Sequence, residues 1–155
     1  MSRCNSGALH QGQSVRLPVS KWVKPDLTET EDKRMTALET VALYYDAWQN
    51  KHGDLSDVPL AETFEFIGPV ASFDNAEGYR AMAREAGAAV TSFDVRRQFV
   101  DGTTVCSIID WEMAIPGLGR LTSAELLEVK DGVIVRGELI YDAEGLRRAM
   151  ADSRR

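Results

Sequence analysis

Three acidic residues, Asp110, Glu125 and Glu138, lie in three consecutive segments that the sequence predicts as strands. If "PGLG" forms a four-residue loop after the first segment, Asp110 faces Glu125 across the hairpin. If Asp131-Gly132 forms a two-residue turn, Glu125 also faces Glu138. The spacing therefore predicts a row of three carboxylates across one face of a sheet. This row depends on register, because a slip of one residue in either turn moves a side chain to the other face.

Such a row would suit general acid/base chemistry. Its predicted neighbours on the same face are apolar, namely Phe93, Val95, Ile108, Leu121, Leu127 and Ile140. Carboxylates close together in apolar surroundings cannot all ionise at neutral pH, so at least one should have a raised pKa. We expect a protonated Glu125 to polarise a carbonyl or epoxide oxygen, with Tyr45 orienting that oxygen. Asp110 or Glu138 would then take a proton from the substrate or from water.

A second interpretation of the same acids stays open. Asp110 and Glu138 could pair with Arg97 and Arg136 in a ladder of surface ion pairs, which would have little functional meaning. If the acids do line a pocket, we expect the substrate to contact apolar side chains. The candidates are Phe66, Phe93, Ile108, Leu127, Ile140 and Trp48.

The elements that position these residues follow from periodicity and turn signals. "TETE" from Thr28 offers a capping box, and apolar residues at a 3.6-residue period predict a helix from there to near Gly53. "ETFEFIG" predicts a strand, and Asp74 or Asn75 can cap a shorter helix that ends near Gly87. Four further strands and a closing helix are then predicted, at 91–100, 103–115, 120–130, 133–141 and 143–150. Helices followed by an antiparallel meander indicate an α+β domain with helices covering one face of the sheet.

Composition narrows the class of protein. The chain has 155 residues, which favours one domain; we place it at 28–151, after an extended or flexible N-terminal arm at 1–27. A net charge of −6 and a pI near 5.0 argue against nucleic acid as a partner. The sequence contains no apolar run long enough for a membrane helix and no signal peptide, so we expect a cytoplasmic protein without membrane contact.

Cysteines and histidines give no sign of a disulfide framework or a metal site. Cys4 lies in the polar arm and Cys106 in a predicted strand, so a pair is not expected. His10 and His52 are far apart, and neither has another ligand at metal-binding spacing. We therefore predict no metal and no cofactor.

Three stretches carry a resemblance to a known family. "ALYYDAWQNKHGD", "FEFIGP" and "LLEVKDGVIVRGELIYD", in this order within residues 35–150, resemble the nuclear transport factor 2-like superfamily, in particular its SnoaL-like members. The resemblance implies a conical α+β barrel, in which a bent antiparallel sheet is wrapped by helices around a pocket. The superfamily contains ketosteroid isomerases, polyketide cyclases, limonene epoxide hydrolase-like enzymes, dehydratases and non-catalytic binding modules.

The resemblance also implies roles for individual residues. Glu125 falls where ketosteroid isomerases place the protonated acid of their oxyanion hole, and Tyr45 falls near their hydrogen-bonding tyrosine. The position of the isomerase base is occupied by Phe66 and Ile67, which cannot serve as a base.

Epoxide hydrolases of this fold offer a second match. Glu138 and, approximately, Asp110 occupy their acidic positions. The arginine expected between those acids is missing, although Arg97 or Arg136 could reach the site from neighbouring strands.

The sequence thus predicts a small, cofactor-independent pocket enzyme that performs general acid/base chemistry on an apolar, oxygenated small molecule. An isomerase, a cyclase, a dehydratase and an epoxide hydrolase all fit. The alternative is a non-catalytic binding or accessory module of the same fold. We also expect a homodimer through the outer sheet face, which we assign to a second apolar surface that includes Trp111, Met113 and Leu139.

Overall fold

The computed structural model describes residues 34–155. The predicted arm at 1–27 and the start of the predicted domain lie outside these residues. The helices are α1 (Ala37–Asn50), α2 (Ala76–Ala89) and α3 (Glu144–Asp152). The strands are β1 (Leu60–Ile67), β2 (Ser72–Phe73), β3 (Val90–Asp101), β4 (Thr104–Met113), β5 (Arg120–Lys130) and β6 (Val133–Ile140).

The strands form one open, six-stranded sheet in the order β2-β1-β6-β5-β4-β3. Neighbours are antiparallel except for β1 and β6, which run parallel, so the sheet is mixed. The helices pack on this sheet: α1 contacts β3 to β6, and α2 contacts β1 and β2. The predicted α+β class, with a sheet wrapped by helices, is confirmed.

The first two helices, α1 and α2, each begin at a residue whose side chain caps the helix. Thr36 caps α1 through a capping box, because its hydroxyl accepts from the backbone N–H of Glu39 and the Glu39 carboxylate accepts from that of Thr36. The predicted capping box at Thr28 lies outside the described residues, but residues 34–36 are not helical, so the predicted continuous helix through them is wrong and α1 begins at Ala37. Asn75 caps α2, as predicted.

The sheet has two faces with different roles. We call the face beneath the helices the inner face; it contributes buried residues such as Ile109, Glu125 and Leu127 to the core with Tyr44 and Tyr45 of α1. The opposite, outer face carries the alternate residues of the same strands. On its β4, β5 and β6 strands these include Ile108, Asp110, Ala124, Leu126 and Ile140.

The β4–β5 register differs from the prediction. Glu112 pairs with Arg120, and the connection between the end of β4 at Met113 and the start of β5 runs over residues 114–119, which is longer than the predicted four-residue "PGLG" loop. The observed pairing is displaced by three residues from the predicted one. Asp110 lies opposite Thr122, and Glu125 lies opposite Ser107. Because three is an odd number, the slip also places Asp110 and Glu125 on opposite faces.

The β5–β6 register begins as predicted and then shifts. Lys130 pairs with Val133 across the Asp131-Gly132 turn, in which both residues have positive φ, as a type I′ turn requires. A β-bulge follows, because the partner of Val129 is Ile134 and the partner of Glu128 is Arg136. The remaining pairs shift by one residue. Glu138 therefore lies opposite Leu126 on the outer face, and the predicted row of three carboxylates is wrong.

The same change corrects the predicted dimer face. Trp111, Met113 and Leu139 belong to the inner face and line a cavity, so they do not form the outer surface of the sheet. The homodimer itself stays a prediction, as does the cytoplasmic location. No helix within residues 34–155 is long and apolar enough to cross a membrane.

Candidate functional site

A cavity of about 150 Å³ lies between the inner face and the helices. Its wall is mainly apolar and rich in aromatic rings, and Trp48 stacks on Phe93 with ring centroids 6.0 Å apart. Among the lining residues that the structure describes, Glu125 is the one with an ionisable carboxyl group. The principal lining residues are Tyr44, Trp48, Phe66, Phe93, Ile109, Trp111, Met113, Ser123, Glu125, Leu139 and Tyr141.

Glu125 is a buried acid, and no cation from residues 34–155 forms an ion pair with it. It is 4% exposed, and the Tyr44 hydroxyl donates to its Oε1 atom at 2.8 Å. Burial raises the pKa of Glu125 to about 7, although the hydrogen bond from Tyr44 and the nearby Tyr45 hydroxyl favour the ionised form. The site therefore contains one carboxyl group that changes its protonation state near neutral pH.

Tyr44 connects Glu125 to a second tyrosine. The hydroxyl groups of Tyr44 and Tyr79 share a short hydrogen bond. Because Tyr44 has one proton and donates it to Glu125, Tyr79 must donate to Tyr44. Burial raises the pKa of both tyrosines well above its ordinary value, so they remain neutral donors. The result is a directed chain of hydroxyl groups that ends on the carboxyl group.

Tyr45, the predicted orienting tyrosine, lies beside this chain. It is buried, and Ser107 and Glu125 both affect its pKa, which burial raises far above its ordinary range. Among the described residues its hydroxyl has no hydrogen-bond partner within normal geometry, and Tyr45 does not line the cavity. The cavity-lining tyrosine that bonds to Glu125 is therefore its neighbour, Tyr44.

The two other predicted acids lie on the outer face. Asp110 accepts a hydrogen bond from Thr122 at 2.6 Å, and its Oδ2 atom lies 3.5 Å from the guanidinium group of Arg96. Glu138 is half-buried opposite Leu126. Neither residue lines the cavity. The predicted ion-pair partner of Asp110 was Arg97, and the observed partner is Arg96, because a bulge interrupts β3 between Val95 and Arg97.

The predicted substrate contacts fall into two groups. Phe66, Phe93 and Trp48 line the cavity. Leu127 is fully buried in the inner-face core but does not line the cavity. Ile108 and Ile140 are on the outer face, where Ile140 is 53% exposed. The prediction of these two as cavity residues is wrong because it used the incorrect strand register.

The site residues that the prediction missed include Tyr44, Tyr79, Trp111 and Ser123. Tyr44 precedes Trp48 by four residues, so helical periodicity places it on the same face as a residue that was predicted correctly. Trp111 was assigned to the outer face, but its indole N–H donates to Ser123 at 3.2 Å on the inner face. No local signal marks Tyr79, since its role depends on the packing of α2 against α1.

Within the part of the chain that the structure describes, no three His, Cys, Asp or Glu side chains come together as a metal site. The cavity wall described above contains neither histidine nor cysteine. Its chemistry therefore rests on the Glu125 carboxyl group and the surrounding hydroxyl and indole donors.

The helix-covered sheet and its internal cavity define an α+β pocket protein. The chain belongs to the SnoaL-like domain family, whose model matches residues 41–137. This confirms the resemblance to SnoaL-like members of the nuclear transport factor 2-like superfamily. A sequence comparison with curated proteins gives no match.

Solved structures share this fold. A protein from Kribbella flavida DSM 17836 is 25% identical, with a TM-score of 0.67 over 77% of this chain and 97% of that one. A steroid delta-isomerase from Pseudomonas aeruginosa is 21% identical, with a TM-score of 0.61 over 76% and 90% of the two chains. An LEH-like epoxide hydrolase from M. tuberculosis is 20% identical, with a TM-score of 0.56 over 76% and 93%. The isomerase and the hydrolase have the same fold as this chain, and at these identities the likeness extends no further.

Proposed function

We propose that the protein is a general acid/base enzyme that acts on a small apolar molecule carrying an oxygen atom, with Glu125 as the proton-transferring group. The observation that carries this proposal is a carboxyl group buried in an apolar cavity, with its pKa raised to about 7. An acid or base works best when its pKa lies near the pH of the reaction. The fold also supports the proposal, because it is shared with an isomerase and an epoxide hydrolase.

The cavity limits the size and charge of the substrate. About 150 Å³ is enough for a single six-membered ring with a small substituent. An anionic group would be disfavoured at the inner end, because no lysine or arginine lines the cavity within residues 34–155. We therefore expect a neutral head group whose oxygen contacts Glu125.

Within the described cavity lining one carboxyl group, Glu125, is available for the proton transfer, because Asp110 and Glu138 lie outside the cavity. In its ionised form, Glu125 would remove a proton from the carbon next to a carbonyl group. In its protonated form, it would return that proton to carbon or donate to oxygen. The Tyr79–Tyr44 chain would stabilise the ionised form by donating to Oε1.

The test uses cyclohexanone, a neutral ring that matches the cavity in size. Exchange of its α-protons for deuterium in D₂O is followed by NMR, with and without the protein. We expect exchange to accelerate as Glu125 ionises, so the catalysed rate should rise through about pH 7 and then level off. Glu125→Gln should reduce the catalysed rate by roughly 100-fold or more.

Glu138→Gln is the matched control, since it makes the same chemical change on the outer face. Its exchange rate should equal that of the wild type. Equal catalysis by Glu125→Gln and the wild type would contradict the assignment of Glu125. Reduced catalysis in Glu138→Gln would contradict the cavity as the reaction site.

A non-catalytic binding module is the second candidate. The observation that favours it is the single carboxyl group among the described cavity residues, since acid/base enzymes commonly divide proton donation and acceptance between two groups. Under this alternative, cyclohexanone would perturb the NMR signals of Trp48 and Trp111 without any catalysed exchange.

A further inference from the structure

A second hollow adjoins the mouth of the cavity. The cavity opens at Val70. Among the cavity-lining residues within 34–155, Val70 is the one that is exposed, at 39%. Val70 and Pro69 also line a neighbouring hollow of about 240 Å³. The other lining residues of this hollow come from α3 and the residues after it: Arg147, Met150, Ala151 and Arg154. A ligand that extends out of the cavity therefore enters this hollow.

The charge of the hollow is opposite to that of the chain. The chain has a net charge of −6, yet the two charged residues that line the hollow within the described part of the chain are arginines. The Arg147 guanidinium group donates to the Pro69 carbonyl at 2.7 Å, which holds it at the rim. Arg154 takes part in no ion pair in the described part of the chain.

The acidic residues of α3 do not neutralise these arginines. Glu144 pairs with Arg148, and Asp152 does not line the hollow. The charge of Arg147 also reaches the cavity wall, because it favours ionisation of Tyr141, whose pKa burial raises. The cavity thus has an acidic, buried inner end and a basic mouth.

We propose that the natural ligand is amphipathic, with a neutral ring-sized head in the cavity and an anionic tail bound by Arg147 and Arg154. This inference rests on the proposed function, because the head occupies the same cavity and contacts Glu125. Arginine recognises carboxylate and phosphate oxygens with two parallel hydrogen bonds. Both arginines are exposed, so the tail adds a modest and salt-sensitive preference.

The test compares two probes that differ in one group: 4-phenylbutyrate, which has a carboxylate tail, and 4-phenylbutan-1-ol, which is neutral. Affinities are measured by calorimetry at low and high salt. We expect the wild type to bind the carboxylate about three- to fivefold more tightly at low salt. This preference should disappear at high salt and in Arg154→Gln, a variant that leaves the Arg147–Pro69 contact intact.

Arg155→Gln is the matched control, because it removes the same charge from a neighbouring residue that does not line the hollow. It should keep the preference for 4-phenylbutyrate. Equal affinity for the two probes in the wild type, or an unchanged preference in Arg154→Gln, would overturn the inference about the tail. That result would leave the proposed function standing if the alcohol still perturbs Trp48 and Trp111. Failure of both probes to bind would also overturn the inference, whereas the proposed function is decided separately by the cyclohexanone exchange.

Discussion

Glu125 and Asp110 are buried carboxylic acids on adjacent strands, but they lie on opposite faces of one sheet and have different partners. Glu125 is 4% exposed and receives a hydrogen bond from a neutral tyrosine. Asp110 is 8% exposed, and its partners are a threonine hydroxyl and the positive charge of Arg96. The two acids therefore differ in the charge of their partners more than in their burial. Burial raises the pKa of Glu125, and among the residues described no cation lies beside it to offset that desolvation.

The largest expected effect concerns Glu125 and pH. The pKa of Glu125 is about 7 in the folded protein and 4.5 ordinarily, so between these values the folded state holds a proton that the unfolded state has lost. The free energy of unfolding should therefore fall as pH rises from about 4.5 to above 7, by on the order of 3 kcal/mol from this group. Glu125→Gln removes that loss. Urea unfolding at several pH values should show that the free energy of unfolding of the variant increases relative to that of the wild type as pH rises.

Asp110 should behave differently. Asp110→Ala leaves the Thr122 hydroxyl without its acceptor and Arg96 without its ion pair, so we expect a loss of about 1–3 kcal/mol in the free energy of unfolding. Exchange catalysis should be unaffected, because Asp110 lies outside the cavity. Urea unfolding and the cyclohexanone assay measure the two properties separately. If the variant lost catalysis while remaining folded, the proposed division between the two faces would be wrong.

Tyr44→Phe tests the donor to Glu125. Removing the hydroxyl takes away a hydrogen bond that stabilises the carboxylate, so the pKa of Glu125 should rise further. It also leaves Tyr79 without its acceptor, and we expect a loss of about 1–2 kcal/mol in stability. NMR titration of the ¹³C-labelled Glu125 carboxyl group gives the pKa directly. A pKa unchanged or lowered by this substitution would show that Tyr44 does not stabilise the ionised acid.

Tyr45→Phe should have the smallest effect. The Tyr45 hydroxyl is buried without a hydrogen-bond partner in the described structure, so its removal breaks no hydrogen bond and should leave stability unchanged or raise it by up to about 1 kcal/mol. The pKa of Glu125 should rise less than in Tyr44→Phe, because Tyr45 is the smaller of the two influences on it. The same carboxyl titration compares these adjacent tyrosines. A larger shift in Tyr45→Phe would reverse their assigned roles.

The sequence predicted most of the secondary structure for local reasons. Helical periodicity found α1 and α2, and alternation with turn residues found the four long strands β3 to β6. The pairing of Lys130 with Val133 across the Asp131-Gly132 turn was also predicted correctly, because two residues with positive φ define the hairpin around them. Periodicity likewise placed Trp48 on the cavity side of α1, and the resemblance singled out Glu125.

Register and face were decided by tertiary structure. The residues of "PGLG" are compatible with connections of different length, and the observed one moves Asp110 by three positions to the outer face. The sequence of residues 126–138 contains no signal for the bulge that places Glu138 on the outer face, because a bulge is stabilised by the packing of the whole sheet. The sequence alone shows that residue 125 carries a carboxyl group. Its raised pKa arises only when α1, α2 and the inner face exclude water from it, since desolvation is a property of the assembled core.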